Sequence, residues 1–148
     1  MMRVREFSAG DAEAVAAITR ASPETAQWSE RSFEELTAAG TAKCLVAEQD
    51  GRVIGFVCYR VTADEAEILN VAVLPEARRR GCATRLLLQA KRECEAAGVK
   101  KLFLEVRKDN ATALRFYERQ GFERVGERQG YYSNPLGDAV VMAHKVVE

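Results

Sequence analysis

The order of segments along the chain predicts an α/β domain of three layers around a mixed sheet. Strand-like and helix-like stretches follow one another as β-α-α-β-β-β-α-β-α-β-β, and helices interspersed with strands bury their apolar stripes by packing on both faces of one sheet. Three β-rich runs succeed one another between Lys43 and Val73 across turns short enough only for antiparallel pairing. A helix between Gly81 and Gly98 then separates two strands, so a parallel or splayed pair is expected there. With 148 residues and no internal repeat, linker or low-complexity segment, residues 1–148 read as a single domain with room for a proper core.

Arg3–Phe7 alternates and predicts a first, edge strand. Ala14, Val15, Ile18 and Ala21 then recur at helical spacing, and Pro23 breaks that helix. Ser29 caps a second, shorter helix that finishes near Gly40. Trp28, just ahead of the cap, is placed either for a hydrophobic staple or for the wall of a substrate pocket. Lys43–Gln49 and Arg52–Thr62 flank Asp50-Gly51, the preferred two-residue hairpin turn, and Glu65–Val73 follows the Ala63-Asp64 turn as the third strand of a meander. After Gly81, Ala83, Leu86, Leu87, Ala90, Cys94 and Ala97 mark the inner face of a helix that Gly98 stops. Lys101–Arg107 is the next strand. Asn110 or Asp109 caps a helix over Ala111–Gln120 that Gly121 ends. Phe122–Gln129 and Ala139–Val146 are the last strands, joined by a loop carrying Tyr131, Tyr132, Pro135 and Gly137.

Composition removes several function classes. The 22 basic and 22 acidic residues cancel, which argues against a non-specific nucleic-acid binder. No run is apolar enough to span a bilayer, and Met1–Glu6 lacks the apolar core of a signal peptide, so a cytoplasmic location without a membrane partner is expected. Cys44, Cys58, Cys82 and Cys94 are widely spaced, and His144 is the single histidine, so a metal site is not expected. Charge is uneven along the chain. Residues 76–101 carry eight Lys or Arg against three Glu, and residues 22–67 carry nine acids against four bases.

Ile68–Leu88 concentrates the chemistry: a buried strand, a proline stop, three arginines, a glycine and an amphipathic helix. A helix N-terminus presents backbone amides with no intrahelical partner and a favourable dipole, so it suits an anion. Gly81 lets the backbone approach phosphates with no Cβ in the way, and small Ala83 does much the same. Cys82 lies in this turn, where helix and arginines could lower a thiol pKa, but no second group stands out as its base. By itself such a turn would serve many phosphate ligands.

Arg78-Arg79-Arg80-Gly81-Cys82-Ala83, following Asn70-Val71-Ala72-Val73, resembles the acetyl-coenzyme-A signature of the GNAT superfamily of N-acetyltransferases. Leu104–Asn110, Ala113–Phe122 and Gly130-Tyr131-Tyr132 are similar to its RimI-type branch, as is Gln27-Trp28-Ser29-Glu30, so the likeness covers nearly the whole chain. It implies a GNAT-like domain with a mixed, mostly antiparallel sheet of about seven strands and about four helices. It also implies acetyl-CoA as co-substrate, held by Val71, Ala72, Val73, Arg78, Arg79, Arg80, Gly81, Cys82, Ala83, Thr84 and Asn110. Strand backbone at Val71 and Val73 suits the amide-rich pantetheine arm. Transfer needs a base to take the amine's proton. Glu105, in an otherwise apolar strand, matches the branch's proton acceptor, although strand alternation alone would also allow it to face solvent. Tyr117 matches the proton donor; packing on the inner face of its helix is the alternative. Trp28, Tyr131 and Tyr132 are the candidates for the acceptor channel. The branch acetylates the N-terminal alanine of a small-subunit ribosomal protein, which makes a protein or peptide N-terminus the expected partner. A small-molecule amine acceptor, or a non-catalytic acyl-CoA-binding module, would use the same cofactor half.

Overall fold

A computed structural model describes residues 1–40, 42–133 and 135–146. In chain order these form β1 (Met2–Glu6), α1 (Ala12–Arg20), α2 (Glu30–Ala38), β2 (Ala42–Gln49), β3 (Arg52–Thr62), β4 (Glu65–Val73), α3 (Cys82–Ala96), β5 (Lys101–Arg107), α4 (Ala111–Arg119), β6 (Glu123–Ser133) and β7 (Leu136–Lys145). Short 3₁₀ turns at Ala9–Asp11 and Pro75–Ala77 were not legible in the sequence. The strands make one sheet in the order β1-β2-β3-β4-β5-β7-β6. Every neighbouring pair is antiparallel except β4–β5. The expected mixed, mostly antiparallel seven-stranded sheet with four α-helices is therefore present among the described residues.

Local chemistry explains the main elements. Asp50 and Gly51 both take positive φ, 52° and 77°, the mirror-image turn whose twist matches a hairpin. The Ser29 hydroxyl accepts from the Ser32 amide at 3.1 Å, capping α2, and Trp28 packs edge-on against Phe33 with ring centroids 5.1 Å apart. This is the staple geometry, N′ against N4. α3 and α4 end alike. Gly98 and Gly121 take φ of 84° and 94°. The amides around them close Schellman pairs, Gly98 to Glu95 and Val99 to Cys94 in α3, Gly121 to Glu118 and Phe122 to Tyr117 in α4.

β3 is buried on both faces over Val53–Tyr59, as a central strand between two helical layers must be. On one face Phe56 meets Phe33 of α2 edge-on at 5.1 Å. On the other, the Tyr59 hydroxyl donates to Glu93 of α3 at 2.7 Å, and Gly55 faces Cys82. Removing a side chain of this size from water stabilises by about 1.5–3 kcal/mol. The four cysteines are free and buried. No helix among the described residues is long and apolar enough to cross a membrane.

One expectation is corrected. Tyr131 and Tyr132 do not lie in a loop: β6 continues to Ser133, which pairs with Leu136 of β7. The strand carries a wide irregularity, since Arg128 pairs with Ala139 and Tyr132 with Gly137, leaving three residues opposite Asp138 alone. Gly130, at φ 61°, makes that excursion and donates its amide to Asp138 Oδ1 at 2.8 Å. Sequence alternation ends at such an irregularity, which is why the strand looked as if it stopped near Gln129.

A methyl group at Gly55 would lie 3.0 Å from Cys82 Sγ, 3.1 Å from Val73 Cγ2 and 3.2 Å from the Ala72 carbonyl. Gly55→Ala should therefore lower unfolding free energy by about 1–3 kcal/mol, the usual cost of overpacking. Gly10→Ala, where an added Cβ meets nothing within 4 Å, is the control and should be near neutral in the same urea titration.

Candidate active site

β4 and β5 pair over three positions only, Glu65–Lys101, Ala66–Leu102 and Glu67–Phe103, and then part. A bulge in β4 coincides with the parting: Cys58 pairs with Asn70 but Tyr59 with Ile68, so Leu69 is an extra residue. A bulge bends its strand and increases local twist. Asn70 is buried and donates to the Ala26 carbonyl at 3.0 Å, which holds the segment before α2, with Trp28, against this part of β4. β5, by contrast, stays paired with β7 along its full length.

Beyond the parting, the backbone of β4 has one free side. The Leu74 amide donates to Ile54 of β3, so by strand alternation the peptide groups of Val71 and Val73 face the gap. Ala72, read from the sequence alongside them, turns its peptide groups toward β3. The Val73 carbonyl accepts from Arg78 Nε at 3.1 Å.

The turn after β4 is built for close backbone approach. Arg79 and Gly81 both have positive φ, 64° and 78°, and α3 starts at Cys82 with no side-chain cap. The amides of Cys82, Ala83 and Thr84 have no acceptor among the described residues. The three arginines are not equivalent. Arg78 donates to Ser22 Oγ at 2.8 Å and Glu24 Oε1 at 2.9 Å, strapping the α1–α2 connection to the end of β4. Arg79 and Arg80 are exposed and make no ion pair among the described residues. Cys82 points inward, and burial pushes its thiol up to about 11, outweighing the lowering by the Arg85 charge. Thr84 accepts from Gln120 Nε2 at 3.4 Å, tying the start of α3 to the end of α4. Asn110 Oδ1 accepts from the Ala113 amide at 3.1 Å and is the cap of α4.

Across the gap, Glu105 sits with Phe103 and Arg107 on the half-buried face of β5, opposite Leu102, Leu104 and Val106. Its side chain is only 16% exposed. Oε1 lies 3.5 Å from Arg128 Nη1, whereas Oε2 is buried and has no hydrogen-bond partner among the described residues. Burial, then the adjacent Glu105 charge, raises the phenols of Tyr131 and Tyr132. The two rings meet edge-on at 5.0 Å. Arg128 lies over Tyr131 at 5.1 Å and Arg107 over Tyr132 at 4.7 Å. Tyr117 is buried, packs edge-on against Phe116 and Phe122, and its phenol is raised by burial and then by Tyr132. A phenol so placed keeps its proton at working pH and can donate it.

The site residues read from the sequence thus fall into two groups. The turn and the free edge of β4 form one wall, and Glu105, Tyr117, Tyr131 and Tyr132 cluster on the other. Trp28 is half-buried and packs edge-on against Phe33. Arg107 and Arg128 were missed, because their place depends on the excursion at Gly130; a glycine inside a β-rich run was the one local sign of it. No group of His, Cys, Asp or Glu among the described residues is arranged to hold a metal. A concavity of about 640 Å³ between β1 and the outer face of α3 lies away from this cluster and contains none of its residues.

The acetyltransferase (GNAT) family model matches residues 13–122, more than half of the chain. The [ribosomal protein bS18]-alanine N-acetyltransferase of Escherichia coli K12 is 36% identical over 118 residues, covering 78% of this chain and 79% of that protein. Among solved structures, the ribosomal-protein-S18-alanine N-acetyltransferase of Escherichia coli superposes with a TM-score of 0.88 at 30% identity, over 100% of this chain and 96% of that one. Ard1 from Thermoplasma volcanium superposes with a TM-score of 0.90 at 30% identity, over 99% of each chain.

At pH 8 a thiol held at about 11 is thiolate in about one molecule in a thousand, and the thiolate is the reacting form. A neutral haloacetamide should therefore leave Cys82 unmodified in the folded protein and label it promptly in denaturant, as read by peptide mass. Prompt labelling of folded protein would show Cys82 to be a reactive thiol.

Proposed function

The chain belongs to the GNAT acetyltransferase family, and from that membership we propose that it transfers the acetyl group of acetyl-CoA to the N-terminal α-amino group of a protein. The first residue of that protein would be alanine, and a small-subunit ribosomal protein is the candidate acceptor. The likeness to an Escherichia coli protein named for bS18-alanine acetylation supports the acceptor class. The observation that carries the chemistry is Glu105, a carboxylate on the gap with one buried oxygen that has no partner among the described residues.

The residues present fit the donor. In the proposed arrangement the amides of Cys82, Ala83 and Thr84 meet the pyrophosphate, with Arg79 and Arg80 adding charge and Gly81 the close approach. The peptide groups of Val71 and Val73 meet the pantetheine amides, and Asn110, besides capping α4, contributes on the same side. Acetyl-CoA supplies an acetyl group already activated as a thioester. Glu105 takes the proton that the acceptor's ammonium must lose before nitrogen can attack. Tyr117 returns a proton to the departing sulfur. Tyr131 and Tyr132 wall the channel by which the amine arrives, and the end of the sheet near Trp28 borders it.

Two experiments bear on this. Glu105→Gln and Tyr117→Phe should each lower kcat by roughly 10²-fold or more, the usual scale for general acid–base groups. Near-normal turnover in both would sink the mechanism. Short peptides differing in their first residue, assayed for acetyl-CoA-dependent thiol release, should rank alanine first. A small polyamine or amino acid outperforming every peptide would redirect the acceptor to small amines.

A further inference from the structure

We propose that Arg128 is a positioning residue for the transfer: by pairing with Oε1 of Glu105 it fixes the orientation of the carboxylate that takes the amine's proton. The inference rests on the reading of Glu105 as the base and adds what orients it.

Register puts the two residues within reach. Glu105, Val141 and Gly126 lie on one line across β5, β7 and β6, and Arg107, Ala139 and Arg128 lie two positions further on, on the same face. Residues so aligned share a face of the sheet. The residue between Arg128 and β5 is buried Ala139, whose single methyl lets the guanidinium cross β7 and end 3.5 Å from Glu105 Oε1.

A second contact fixes the guanidinium. It lies over the Tyr131 ring at 5.1 Å, in cation–π range. In a regular strand residues 128 and 131 would point to opposite faces. The excursion at Gly130 removes that restriction by setting three residues against Asp138 alone. Arg128 is thereby held between the aromatic wall of the channel and the carboxylate.

The consequence is asymmetry within one carboxylate. A planar cation beside Oε1 restricts rotation of the group. Oε2 is left buried with no partner among the described residues. General-base catalysis requires the acceptor atom within hydrogen-bond reach of the proton, so an oriented oxygen acts before any question of basicity. Arg128 is 56% exposed, and an ion pair that open adds little to folding stability. Its loss should therefore fall on turnover rather than on the fold.

A double-mutant cycle on an alanine-first peptide is the test. Arg128→Gln should lower kcat about tenfold or more and leave KM for acetyl-CoA within about twofold. In a Glu105→Gln background the same substitution should change kcat by less than about twofold, because a residue acting through Glu105 has nothing left to orient. A kcat within about twofold of wild type for Arg128→Gln overturns the proposal. So does an effect that multiplies undiminished on Glu105→Gln, which would mean that Arg128 acts on the peptide or the hairpin directly. If the glutamine variant melts early, Arg128→Lys replaces it in the cycle, with the same two criteria. An inactive wild type across the whole peptide panel would instead overturn the functional reading, and the role of Arg128 with it.

Discussion

Parallel strands are joined by evenly spaced, slanted hydrogen bonds, and the ladder stops once the strands diverge beyond the reach of one bond. β4 and β5 reach that point after Glu67 and Phe103. The bulge at Leu69 bends β4, while β7 holds β5 straight along its whole length. Two consequences follow from this one divergence. The peptide groups of Val71 and Val73 are released from sheet pairing, and the half-buried face of β5 is opened beside Glu105. The helix between the two strands adds a third feature: α3 begins after the turn that follows β4, and its first amides are unpaired among the described residues.

Each wall of that opening is held by contacts made elsewhere. The start of α3 is pressed onto β3 through Cys82 and Gly55, and is tied to α4 through Thr84 and Gln120. Tyr117 is fixed by the end of its own helix, where Phe122 returns its amide to the Tyr117 carbonyl and packs its ring against the phenol. The tyrosines of β6 are pinned by Arg107 and Arg128. Arg107 also donates to the Leu136 carbonyl and lies against Gly137, where a side chain would collide with it. Aromatic walls mounted on a strand in this way keep their geometry better than walls on a loop.

Charge at the site is not read by counting. Three consecutive arginines precede α3, but Arg78 is a strap between β4 and the α1–α2 connection, and only Arg79 and Arg80 remain exposed without an ion pair among the described residues. What the turn offers an anion is first a set of backbone amides at a helix start, a geometry that needs left-handed backbone at Gly81 more than it needs side-chain charge. Likewise Cys82 carries a raised thiol because burial outweighs the charge of Arg85.

Sequence by itself determined the elements that rest on local chemistry. Asp50-Gly51 specified a hairpin, Ser29 and Asn110 their caps, Gly98 and Gly121 their helix ends, and the order of segments a mixed sheet with helices on both faces. It also marked Ile68–Leu88 as a candidate anion turn, because a glycine before an amphipathic helix is a local signal. Tertiary structure alone decided the rest. Which of three adjacent arginines faces solvent depends on where Ser22 and Glu24 come to lie, more than fifty residues away. Whether Glu105 is buried or exposed depends on β6 and β7 folding back beside it, since alternation puts it on the outer face of β5 in either case. That Arg128 reaches Glu105 at all depends on a register excursion at Gly130 and on a small residue at Ala139 in the strand between. Sequence periodicity records which face a side chain takes within its own element; it holds no record of what another element sets opposite it.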